Sequence, residues 1–62
     1  MNKSELREVQ KLNQYRTMGA DAGMLARSLS ALIRASMTNR SRAALLGYAD
    51  VFGVRNHPEF II

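Results

Sequence analysis

The sequence predicts a small all-α protein, a helical hairpin or three-helix domain completed by homodimerisation, and three observations carry that expectation. Apolar residues recur at intervals of three and four through most of the chain, the spacing that places them on one face of a helix. Residues suited to helix caps fall between the periodic runs. Sixty-two residues with no cysteine leave room for one thin core without a disulfide staple, so association with a second copy is the expected source of further burial.

The first helix is expected over residues 3–17. Asn2 can cap it, with Glu5 three positions later in capping-box register, and Glu5 and Glu8 suit the positive end of the helix dipole. Its apolar residues Leu6, Val9 and Leu12 step by three, which drifts around the helix and gives only a weakly amphipathic face. From Tyr15 the pattern tightens. Tyr15, Met18, Ala22, Leu25, Leu29, Leu32 and Ile33 would share an arc of about 100° if helix ran through them all, enough for one buried stripe.

Whether it does run through depends on Gly19-Ala20-Asp21-Ala22-Gly23, where each glycine costs about 1 kcal/mol in a helix relative to alanine. Asp21 can cap a new helix there, or the glycines can admit another backbone at Gly-x-x-x-Gly spacing. A turn or kink is the preferred expectation, with the second helix over 21–37. The polar run Thr38-Asn39-Arg40-Ser41 interrupts the stripe and offers Thr38, Asn39 and Ser41 as caps for a third helix over 40–53. Ala43, Ala44, Leu45, Leu46, Ala49 and Phe52 mark that helix, and Gly53 is a suitable stop. Leu25, Leu29 and Leu32 are expected to pack against Leu45, Leu46 and Phe52, with Tyr15, Met18 and Ile33 in the same core or at a dimer seam. In the tail, 54–62, periodicity ends and Pro58 drives His57 away from helical angles. The apolar Phe60-Ile61-Ile62 is expected to fold back on its own domain or on a dimer mate rather than to capture a partner.

Charge is unevenly spread. Nine Lys and Arg against five Asp and Glu give a net +4, and the excess lies in the middle. Lys3, Arg7, Lys11 and Arg16 nearly cancel against Glu5, Glu8 and Asp21, whereas residues 22–49 hold Arg27, Arg34, Arg40 and Arg42 and no acid. These four arginines are the candidate contact residues, for phosphate or for a partner protein. Sequence-specific DNA reading is not expected, because the third segment offers mainly Ala, Leu and Gly after Arg42 where a recognition helix needs base-reading side chains.

Catalysis is not expected. None of Ser4, Ser28, Ser30, Ser36 and Ser41 is flanked by glycines as a nucleophile elbow requires, and all read as surface or capping residues. There is no phosphate-binding glycine loop, and the carboxylates are scattered. His57 has no second His or Cys to share a metal with, so neither metal nor cofactor is expected. A charged N-terminus without an apolar run does not read as a secretory signal, and charges interrupt every stretch long enough to span a bilayer; a cytoplasmic protein with no membrane role is the expectation.

In size, in its helix-rich and cysteine-free make-up, and in its opening Met-Asn-Lys-Ser-Glu-Leu-Arg, the chain resembles the small accessory proteins of the early region of lambdoid temperate phages. That resemblance implies a short regulatory, host-directed protein that acts by binding, and it assigns no role to any individual residue. A nucleic-acid-binding accessory protein using the arginines against phosphates is the alternative.

Overall fold

In the computed structural model, which describes residues 3–61, the chain forms three α-helices and, among the described residues, no strand: α1 (Lys3–Thr17), α2 (Ala22–Ala35) and α3 (Asn39–Phe52). The protein is a small all-α domain. The cap proposed at Asn2, and Ile62 of the apolar C-terminal triplet, lie outside the described residues.

Local chemistry accounts for the boundaries from the end of α1 onward. Helix α1 stops in a Schellman motif, in which Gly19 takes the left-handed φ of +89° that L side chains resist. The N–H of Ala20 donates back to the Tyr15 carbonyl (2.9 Å) and that of Gly19 to the Arg16 carbonyl (3.1 Å). Two residues later Asp21, in extended backbone, caps α2 by accepting from the N–H of Met24 (3.2 Å). The join is therefore a turn rather than a continuous helix. Helix α2 ends at Ala35, two residues before the expected limit, because Ser36 adopts extended backbone and its hydroxyl donates to the Ile33 carbonyl (2.6 Å), a local bond that competes with another helical turn. Thr38 then caps α3 by accepting from the N–H of Ser41 (3.0 Å). Gly53 closes α3 at φ +74°, its own N–H and that of Val54 satisfying the Asp50 and Ala49 carbonyls.

Helix α2 is central and packs against both of its neighbours. One cluster joins Leu12 of α1, Leu25, Ala26 and Leu29 of α2, Ala49 of α3 and Val54, with Leu32, Phe52 and Phe60 against it. A second joins Val9, Ile33 and Leu45, with Leu32, Leu46 and Phe60 at its edge. Leu29 and Leu45 are wholly buried. The weakly patterned α1 thus contributes Val9 and Leu12, one to each cluster.

Three of the residues expected along the stripe do not belong to this core: Ala22, exposed at the start of α2, and the two that precede the turn. Met18 is 81% exposed and Tyr15 45%. The 100° arc required one helix through both, and the turn at Gly19 reverses the chain, so positions before it do not continue the face formed by Leu25, Leu29 and Ile33. Nor are all the serines superficial. Ser30 is 1% exposed and Ser41 is also buried.

The tail is part of the fold. Val54 is 1% exposed, seated in the position where a Schellman motif places an apolar residue against the last helical turn, here against Ala49. Beyond it, turns closed by His57 N–H to the Val54 carbonyl and Phe60 N–H to the His57 carbonyl, both 2.9 Å, bring Phe60 back over both clusters.

Candidate interaction surfaces

The four arginines occupy two different settings. Arg27 and Arg34 lie two turns apart on one face of α2, and the tail runs across that face. Arg27 Nη1 is 3.7 Å from Glu59 Oε2, Arg34 Nη2 donates to the Ile61 carbonyl (3.1 Å), and between them the Ile61 N–H donates to Ser30 Oγ (2.9 Å). Arg27, Ser30, Ala31, Arg34, Glu59 and Ile61 line a depression of about 250 Å³. Sequence reasoning named both arginines but not Ser30 or Glu59, because the bonds that unite them span about half the chain.

Arg40 and Arg42 project from the first turn of α3 and are exposed. Helix α3 has no acid in its first turn and no base in its last, while Asp50 stands near its C-terminal end. Both charge placements oppose the helix dipole, which favours anions at the N-terminus and cations at the C-terminus. Asp50 is compensated by Arg55, Nη1 to Oδ2 3.0 Å. Arg40 and Arg42 instead add their charge to the positive end of the helix.

A third surface has an apolar floor and a polar rim. Along the junction of α1 and α2 a groove of about 430 Å³ is lined by Glu8, Lys11, Leu12, Tyr15, Met24, Ser28, Ala31 and Leu32. At Tyr15 and Met24 it continues into a shallower hollow of about 240 Å³ bounded by Met18, Gly19 and Ala20. Tyr15 and Met18, outside the core, are therefore neighbours on an apolar surface. At the rim Lys11 Nζ lies 3.6 Å from Glu8 Oε1 with both side chains half-exposed, so the groove carries no net charge in a protein that is otherwise basic.

The remaining candidates are locally satisfied. His57 Nδ1 accepts from the N–H of Glu59 (3.0 Å), which fits a turn-stabilising role. Among the described residues no three His, Cys, Asp or Glu gather closely enough to hold a metal ion, and no helix is long and apolar enough to cross a membrane. Compared with protein-family models, with curated proteins and with solved structures, the chain matches none.

Proposed function

We propose that this is a small accessory protein that acts by protein–protein interaction and pairs with a second copy through the α1–α2 groove. The observation that carries the reading is the groove itself: an apolar floor ending in the exposed Tyr15 and Met18, with one acid and one base on its rim. In a twofold interface each residue of the patch meets its counterpart's surroundings reciprocally, so Glu8 of one copy can face Lys11 of the other and the reverse. Such a patch is self-complementary, whereas two arginine faces would repel. Further burial is what a core of this size needs, and Met18, flexible and polarisable, suits an adaptable contact. The resemblance of the opening residues to early-region phage accessory proteins supports a regulatory, host-directed role carried out by binding rather than catalysis.

The second reading, phosphate contact, is favoured by one feature, the positive end of α3 augmented by Arg40 and Arg42. The two are separated by measuring solution mass across a concentration series beside binding to labelled duplex and single-stranded DNA across a salt series. The interaction reading expects a mass that rises towards twice that of one chain, a return to the monomer with Met18→Asp while helicity is kept, and little DNA binding. Monomer at every concentration removes the groove pairing. DNA affinity whose logarithm falls linearly with log salt, and which drops with Arg40→Ala and Arg42→Ala, promotes the phosphate reading in its place.

A further inference from the structure

The face of α2 between Arg27 and Arg34 is crossed by the chain's own tail, and Glu59 and Ile61 form one wall of the depression there. Three kinds of group are bound there at once. A carboxylate, that of Glu59, faces Arg27 at 3.7 Å. A main-chain unit, that of Ile61, is gripped at both polar atoms, its N–H by the Ser30 hydroxyl at 2.9 Å and its carbonyl by the Arg34 guanidinium at 3.1 Å. An aromatic ring, that of Phe60, which stands between these two in sequence, packs against both core clusters. Main-chain bonds of this sort supply affinity without reading sequence, while the flanking charge and the ring seat supply selectivity.

We propose that this face of α2 is a docking site for an extended acidic–aromatic–aliphatic segment of a partner protein, and that Glu59-Phe60-Ile61 is an internal stand-in that the partner segment displaces. It deepens the reading of the chain as a protein-binding module by naming the chemistry of the partner, and it uses a surface other than the groove, although Ala31 lines both. Charge complementarity selects this occupant: two arginines two turns apart on a face where residues 22–49 provide no acid favour a segment bearing a carboxylate. The Ser30 oxygen accepts the Ile61 N–H, a contact that a peptide main chain offers and a bare anion does not.

The polar contacts of the stand-in are weak ones, and Phe60 against the core clusters is its main anchor. Arg27 and Glu59 are both half-exposed at 3.7 Å, a separation and a setting in which an ion pair contributes little. Ile61 is itself largely exposed, and from Arg55 onward the segment forms turns rather than helix. Its advantage is tethering, which sets an effective concentration in the millimolar range for short flexible links. Weakening the tail's own contacts must therefore open the site to a peptide in trans.

The test uses the full-length chain and a fluorescently labelled peptide with blocked ends carrying the sequence from Val54 to Ile61. Fluorescence anisotropy is read for the wild type, for Glu59→Gln, and for Glu59→Gln combined with Phe60→Ala, each first shown by circular dichroism to retain its helices. Glu59→Gln alone keeps Phe60 in place and so remains informative if the double variant unfolds. The proposal expects tighter peptide binding in Glu59→Gln than in the wild type by about twofold to fivefold, a further gain in the double variant, and loss of that binding when Arg34→Ala is added. Absence of peptide binding to the folded Glu59→Gln variant overturns it, as does equal binding of a scrambled peptide. Displacement of the peptide by duplex DNA at equal phosphate and carboxylate concentration also overturns it, because the site would then be reading charge alone. These outcomes are independent of the groove: Met18→Asp, which tests the pairing, leaves the α2 face unaltered.

Discussion

Replacing Gly47 with alanine should stabilise the protein, and the size of the gain follows from the position. Gly47 lies in the middle of α3 on an exposed face, and a Cβ built there has nothing within 4 Å. There is no clash to subtract and no packing to add, so the effect reduces to helix propensity, in which glycine trails alanine by about 0.8–1.0 kcal/mol. Much of this arises in the unfolded chain, where alanine has fewer conformations to lose. For a domain of this length about 1 kcal/mol corresponds to a rise in Tm of about 4–8 °C. The assay is thermal and urea unfolding followed by far-ultraviolet circular dichroism at two protein concentrations, since self-association makes apparent stability concentration-dependent. The urea midpoint should rise with the slope m unchanged. Gly53→Ala, six residues away, is the control of opposite sign: its φ of +74° forces the new side chain into left-handed backbone at a cost of about 1–2 kcal/mol. A Gly47→Ala variant that loses stability, with mass and m unchanged, would refute the reasoning and show that an exposed face of α3 meets something a methyl group obstructs.

Leu29→Ala removes a wholly buried side chain at a cost of about 2–5 kcal/mol, comparable to the entire stability that a core of this size supplies; circular dichroism at room temperature should show substantial loss of helix. Asp21→Ala removes the α2 cap and should cost about 1 kcal/mol, while Asp21→Asn, which keeps an acceptor for the Met24 N–H, should cost much less; chemical denaturation compares the two. Arg16, held by two bonds to Asn13 Oδ1 (2.8 and 3.2 Å), places its guanidinium 5.1 Å from the centre of the Phe52 ring. Arg16→Gln should therefore destabilise by about 0.5–1 kcal/mol, and a double-mutant cycle with Phe52→Leu should recover most of that as coupling.

The candidate sites divide by range in the chain. Arg27, Arg34, Arg40 and Arg42 stand out in the sequence because acids are missing around them, a property that needs no fold to be seen. That Arg40 and Arg42 sit against a helix dipole follows from the cap at Thr38, and this too is local. Ser30 and Glu59 carried no such signal. A serine on a helix about one-third of the way along a basic segment is ordinary until Ile61 arrives against it from 31 positions away. The exposed Tyr15 and Met18 were visible as apolar residues of helical spacing, but their separation from the core depended on the chain reversing at Gly19.

What the sequence alone determined is the set of helices and the residues that cap the turns between them, though not the last turn of α2, because the interactions that start and stop a helix act within one turn. Asp21 reaches Met24, Thr38 reaches Ser41, and the glycines at 19 and 53 allow the left-handed step that closes α1 and α3. Periodicity likewise marked Leu25, Leu29 and Ile33 for burial, since one face of one helix is a local property. Tertiary structure decided which faces meet. It moved Met18 out of the stripe, drew the faintly patterned Val9 and Leu12 into the two clusters, and made the tail a structural element through Val54 and Phe60. The physical reason is that burial rewards whatever apolar surface the packed helices leave uncovered, and that surface exists only after distant segments have been brought together.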